Sequence, residues 1–489
     1  MTNPKSTHSA GTSNGRLWLV IFLISIAAFM GALDGTIVNI SLPTLSEYFK
    51  ADLATVSWVA MAYLLVLSSL LVTFGRIGDL RGFRKTYLIG FAVFSAGSML
   101  CGLSPHIYIL IVCRALQALG AAILQAIGGA MIIRYVPEEN RGTALGVWIT
   151  FSAIGLAAGT PLGGFICQHW GWHWIFFVNV PIGIIAIILG LIVLPKDIPA
   201  ISGKFDLAGS GLIFAALGTL LFILNMGNNI GWISPMVIVL VIVSTAAWTG
   251  FIIQEKRAAI PLIRLDLFRS RDFTIGIAIT LLVMLVAQGS WYMLPFYLEV
   301  ERGLATDVAG LVLLIPALGM MLAGPAAGYL SDRIGSKPIC ILGSITMTCG
   351  LFILAAMKTT TSIHYISLAL LLEGIGIGFT IPTSFNLILS ASPAHGDEGM
   401  LNSLVATMRN MGAVMGIAVF GLIFMSLLTV AGLSSSTTLP HTTPVSAYVP
   451  AFRATFILGA VLCAVILALS IVVREKRRHS KRLGLLGSV

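Results

Sequence analysis

The strongest chemical signal in this sequence is an acid inside an apolar run: Asp34, within Leu33-Asp34-Gly35-Thr36-Ile37-Val38-Asn39. An ionised group near the centre of a bilayer costs about 2.5 to 3.5 kcal/mol on insertion scales, so it marks a functional position by default. Arg114, in the fourth apolar run, and Glu373, within Leu371-Leu372-Glu373-Gly374 of the twelfth, are placed similarly. At about 1.5 Å per helical residue, Asp34 stands some 25 Å above the inner end of its run and Arg114 about 10 Å below its outer end. The two depths agree, which puts Arg114 near enough to influence the protonation of Asp34. Burial and a guanidinium act on a carboxyl in opposite senses, and a group balanced between them is what proton exchange requires. The alternative is an acid that pairs statically with Arg114 and locks two helices together.

Glu373 lies about 15 Å into its run with no base nearby in sequence. It is placed to bind a cationic substrate, to carry a second proton, or to donate a hydrogen bond to a neighbouring helix. Arg409, about two turns from the inner end of the thirteenth run, either snorkels or lines a cavity. Gln288, Trp291, Tyr292, Phe296 and Tyr297 cluster in the ninth run, where they form a wall for a flat or cationic substrate or an interfacial aromatic belt. Gln117 and Met408 are further candidate substrate contacts, and Met408, Met411 and Met415 form an adaptable stripe or ordinary core. Glu299, Glu301 and Asp307 read as solvated, and the Ser/Thr-rich segment 432–447 carries no identifiable chemistry. The six cysteines occur singly, without metal-type spacing, and read as small packing residues.

The elements that must hold these groups follow from composition. A chain 57% hydrophobic and 10% charged, with 51 glycines, lies outside the soluble globular range. A helix needs about 20 apolar residues to cross the hydrocarbon. Such runs fall near 17–40, 53–74, 86–104, 107–135, 142–168, 172–194, 206–226, 235–253, 273–298, 307–330, 338–357, 362–390, 402–430 and 450–473. With the N terminus inside, only Lys50, Arg302, Lys358 and Arg453 of the 29 basic residues fall in outer segments, and Arg114 and Arg409 lie within runs. That bias predicts a multi-pass protein with both termini in the cytoplasm. The +10 charge is spread over all inner loops, which argues against a nucleic-acid partner. Arg474, Lys476, Arg477, Arg478, Lys481 and Arg482 suit anionic lipid headgroups instead. The first 15 residues lack the order of a cleaved signal, so the first run reads as a retained helix.

One loop pattern occurs twice. Gly75-Arg76-Ile77-Gly78-Asp79-Leu80-Arg81-Gly82-Phe83-Arg84-Lys85 follows the second run, and Gly328-Tyr329-Leu330-Ser331-Asp332-Arg333-Ile334-Gly335-Ser336-Lys337 follows the tenth. In both, the second Gly permits a tight reversal, and the Asp is placed to accept from an Arg or from N–H groups at a helix start. The repetition implies two six-helix halves, 17–196 and 270–473, flanked by a 1–16 tail and a basic 474–489 tail, with two inserted helices over 205–255.

These loops resemble the signature of the major facilitator superfamily. The Asp34 motif running to Asn39 and Pro43, the segment Trp172-His173-Trp174-Ile175-Phe176-Phe177-Val178-Asn179-Val180-Pro181 and Pro261-Leu262-Ile263-Arg264-Leu265-Asp266-Leu267-Phe268 resemble its drug:proton antiporter-2 branch of fourteen-helix exporters. Arg114-Ala115-Leu116-Gln117-Ala118-Leu119-Gly120 departs from the family pattern by Ala118 for the usual Gly. Gly155, Gly159, Pro161 and Gly163 resemble the antiporter motif with its Pro one residue late. The resemblance implies an all-α membrane protein of the major facilitator fold, a small-molecule transporter of the plasma membrane and not an enzyme. It also implies proton coupling through Asp34, Arg114 and Glu373, and conformational gating by Gly75, Asp79, Gly82, Arg84, Asp332, Gly335 and the Gly155–Gly163 hinge, which would seal the halves together. Expected cargo is an amphipathic drug, cationic or neutral, exported by a monomer without cofactor at the expense of the proton gradient. A metabolite transporter in the same fold and a non-transporting sensor are the rival readings.

Overall fold

The computed structural model describes residues 14–51, 53–195, 205–258, 260–298, 311–357, 361–391, 397–430 and 449–473. The outer segment with Glu299, Glu301, Arg302 and Asp307, the positions Lys196, Lys204 and Lys358, the segment 432–447, residues 1–13 and the basic tail lie outside the described residues, as do the side chains of Asn39, Pro43 and Phe296.

Hydrocarbon offers no partner to a peptide group, so an apolar chain within it satisfies its own N–H and C=O groups as helix. The helices are α1 (Asn14–Phe49), α2 (Leu53–Arg81), α3 (Phe83–Gly102), α4 (Ile107–Tyr135), α5 (Arg141–Trp170), α6 (Asn179–Val193), α7 (Leu207–Ile230) and α8 (Pro235–Arg257). They continue as α9 (Arg271–Phe296), α10 (Ile315–Ile334), α11 (Ser336–Ala355), α12 (Ile363–Ala391), α13 (Glu398–Val430) and α14 (Val449–Val472). A single helical turn, Trp174–Phe177, leads into α6. Thirteen stretches among the described residues are long and apolar enough to cross a membrane. The third expected run, α3, is a 20-residue helix that is not among them, because Arg84, Lys85 and its Gly and Ser residues dilute its apolar content.

Local chemistry sets the ends. Gly82 and Gly335 have φ of 90° and 96°, a backbone that lets α2 turn directly into α3 and α10 into α11. Asp206, Ser234 and Ser270 cap α7, α8 and α9 by accepting from Gly209, Val237 and Phe273 N–H groups. Glu255 near the end of α8 accepts from the Leu262 and Ile263 N–H groups and so shapes the linker to α9.

The packing repeats. In the first half α1 lies on α5, α2 and α3 on α4, and α3 on α6; in the second, α9 lies on α13, α10 and α11 on α12, and α11 on α14. The halves meet through two equivalent contacts, α5 on α10 and α2 on α13, with α4 also against α13. The inserted α7 and α8 pair with each other, and α7 rests on α2. α8 turns Val239 and Ile242 outward at 57% and 62% exposure, as a lipid-facing helix must. One apolar core runs through both halves, and a second, around Ile37, Val38, Leu45, Val59, Trp172 and Phe176, fills the outer end of the first.

Candidate functional site

Asp34 is completely buried, and four elements converge on it. From α4, Arg114 Nη1 donates to Asp34 Oδ2 at 2.7 Å and to Gln117 Oε1 at 2.7 Å. Gln117, one turn along the same face, donates through Nε2 to Asp34 Oδ1 at 3.0 Å. Asn179, at the start of α6, donates through Nδ2 to the same oxygen at 3.2 Å. Ser98 of α3 accepts from Gln117 at 3.1 Å and from Asn179 at 3.2 Å, and donates to the Phe176 carbonyl at 2.9 Å. The guanidinium is held by the Val59 carbonyl, which accepts from Nε at 3.1 Å, and lies 4.1 Å from the Tyr63 ring centroid. The carboxyl is held by a counter-charge and two amide donors, and adding a proton to it cancels the charge on which the network is built. Gln117, expected as a substrate contact, is buried here and bonded to Asp34, Arg114 and Ser98. Ser98, Tyr63 and Asn179 are network members that sequence reading assigned no role, although Asn179 stands out as an amide in an apolar stretch.

Glu373 of α12 is also completely buried, but its setting differs. Ser290 of α9 donates to Oε2 at 3.3 Å, while Oε1 has no partner. Gln288, Trp291 and Met408 are half-buried, with Trp291, Met408, Met411 and Met415 packed against the core, and Tyr292 is 40% exposed. Arg409 does not snorkel: its Cζ stands 5.9 Å from the Trp148 ring centroid of α5, in a crevice between the halves.

The repeated loops form twin latches at the end that the basic-residue bias assigns to the cytoplasm. Asp79, fully buried, accepts from the Gly399 and Met400 N–H groups at the start of α13, at 2.8 and 3.0 Å. Asp332 accepts from the Gly142 and Thr143 N–H groups at the start of α5, at 3.0 and 2.9 Å, and from the Thr143 hydroxyl at 3.0 Å. Each acid thus sits on the positive end of a helix from the opposite half. Asp397 is gripped from two sides, by Arg76 at 2.8 Å and by Arg264 of the α8–α9 linker at 3.0 Å. Arg264 also pairs with Asp266 at 2.7 Å and holds that carboxyl below the usual range. Arg84 donates to the Leu191 carbonyl at 2.7 Å, tying α3 to the end of α6.

The glycines of α5 divide into two groups. Gly155 and Gly159 face Phe29, Leu33 and Thr36 of α1, within one half, so they are not the seal between halves that the motif implied. Gly142 and Gly146 form that seal: a Cβ on Gly328 would collide with the Gly142 carbonyl, and one on Gly146 with the Gly324 carbonyl. Gly75 meets Gly399 in the same way across α2 and α13. Pro161 lies inside α5 and is exposed, and Gly163 is buried.

This arrangement, two pseudo-equivalent halves closed at one end by reciprocal acid-to-helix latches around a buried ion pair, is that of a membrane transporter. The chain belongs to the Major Facilitator Superfamily, whose profile matches residues 24–417 and 276–486. It is 34% identical over 466 residues to the riboflavin transporter RibZ of Clostridioides difficile, covering 95% of this chain and 99% of that protein. It is 30% identical over 404 residues to the multidrug resistance protein Stp of Mycobacterium tuberculosis, covering 82% and 75%. Such relatives are in keeping with the drug:proton antiporter branch that the motifs resemble. The proton:xylose symporter XylE has the same fold, with a TM-score of 0.65 at 13% identity over 94% of this chain and 96% of that one.

Proposed function

We propose that the protein is a proton-coupled antiporter that exports amphipathic small molecules by alternating access, as a monomer in the plasma membrane with both termini in the cytoplasm. The observation that carries this reading is the sealed Asp34–Arg114 pair, 2.7 Å apart and fully buried within one half. A proton arriving from outside binds a carboxylate oxygen of Asp34 and cancels its attraction for Arg114. The guanidinium then keeps Gln117, the Val59 carbonyl and the Tyr63 ring face, α1 and α4 are less tightly bound to each other, and the half relaxes towards the inward-open form. Release of the proton inside restores the pair. The free energy comes from the proton gradient, about 2.3 kcal/mol per charge for each 100 mV, with no cofactor. The halves rock about the midplane, where cargo binds between them.

Everted vesicles carrying a proton gradient, challenged with a panel of dyes and drugs, test this directly. Substrate addition should collapse the gradient with the wild type and not with Asp34→Asn; a gradient untouched by every compound refutes antiport. A second reading, transport of one dedicated metabolite, is favoured by the end-to-end match to a riboflavin transporter. Riboflavin in the same panel distinguishes it, since a dedicated carrier responds to that compound alone.

A further inference from the structure

Arg409 is not used by the mechanism above, yet it is the one charged residue lining the crevice between the halves formed by Trp148 of α5, Pro382 and Phe385 of α12, and Asn402 of α13. It stands eleven residues into α13, which begins at Glu398, or about 16 Å from the inner end and thus near the midplane. Its Nε has no hydrogen-bond partner, and among the described residues no acid pairs with it. The membrane-embedded acids do not offset it, since Asp34 is spent on Arg114 and Glu373 is buried against Ser290. Asn410 and Gln125, both half-buried, meet beside it through an amide–amide hydrogen bond of 3.4 Å.

A guanidinium left without a counter-charge in a low-dielectric site is retained where something else supplies the anion. Its planar fork of N–H donors matches a carboxylate, and the buried rings of Trp148 and Phe385 wall the crevice with aromatic carbon. We infer that Arg409 is a substrate-binding residue that selects flat aromatic compounds bearing an oxyanion, so the preferred cargo is an organic anion and not the cationic or neutral compound expected from the sequence. This rests on the transport reading for its purpose, but not for its test. Alternating access fits the geometry: the crevice lies directly above the latched end, so an anion held by Arg409 bridges α13 and α5, the helices that part when the latches open.

Equilibrium binding to the purified, detergent-solubilised protein is the experiment, with fluorescein as the anionic probe and ethidium as the cationic one, both followed by anisotropy. Fluorescein should bind the wild type, and Arg409→Gln should weaken it by more than about tenfold while changing ethidium by less than about twofold. Arg409→Lys, which keeps the charge but not the fork, should fall between and also serves if the Gln variant fails to fold. Equal losses for both dyes, or no fluorescein binding to the wild type, overturn the assignment. Because no gradient is involved, selective fluorescein binding without any proton response in vesicles would sink antiport and leave this assignment standing.

Discussion

Asp34 and Glu373 are both carboxyl groups with no exposed surface in membrane helices, one in each half, and their surroundings are opposite. Asp34 has a guanidinium and two amides within 3.2 Å; Glu373 has a single serine hydroxyl and an oxygen that touches no donor. The halves therefore share architecture but not chemistry. Duplication supplied two scaffolds, and of these two mid-membrane acids Asp34 is the one wired to a base on a neighbouring helix of its own half.

The sharpest way to break this contrast is Asp34→Asn. It leaves Arg114 buried without its counter-charge, a cost of about 3–5 kcal/mol, and removes the exchangeable proton. Proton-driven efflux in vesicles should fall about 100-fold or more, the equivalent of about 2.7 kcal/mol; near-normal efflux would move coupling elsewhere, with Glu373 the first alternative. Asp79→Ala comes next, since it strips two N–H groups of a charged acceptor at about 1.5–3 kcal/mol each. Turnover should drop about tenfold with substrate affinity in the closed-inside form unchanged, and Asp332→Ala should cost less because that carboxyl is only half-buried. Glu373→Gln orphans no cation, since among the described residues Ser290 is the one side chain that bonds the acid, so efflux should change less than about threefold, roughly 0.7 kcal/mol. A collapse as deep as that of Asp34→Asn would show two coupling acids instead of one. The smallest effect belongs to Asp266→Asn: its pair with Arg264 is exposed and worth at most about 1 kcal/mol in thermal stability, while Arg264 keeps Asp397.

Much of this was legible in the sequence. Counting residues along α1 and α4 placed Asp34 and Arg114 at one depth, because a helix converts sequence distance into height at a fixed rate. The Asp four residues after a Gly, and the Gly three after that, marked the latches for the same reason. What sequence spacing does not give is azimuth across different helices. Asn179 reaches the acid, and Ser98 and Tyr63 reach its amide and guanidinium partners, from three other elements, and nothing in their spacing announces it. Gly155 and Gly159 were readable as a close-packing face, but whether that face met α1 or the other half depends on how α5 is rotated. Arg409 was placed near the inner end when counted from an apolar boundary; the helix starts four residues earlier, at Glu398, which moves the guanidinium towards the midplane.

Where Gly142 rests on Gly328 and Gly146 on Gly324, the two halves come main chain to main chain, with Asp332 and Thr150 alongside. Along that glycine line separation uncovers main-chain groups and little oily surface, whose wetting would cost about 25 cal/mol per Å². The inner door can thus swing on a nearly dry, knob-free hinge line, and the energy that keeps it shut is concentrated in a few acids that a change in charge or hydration can release.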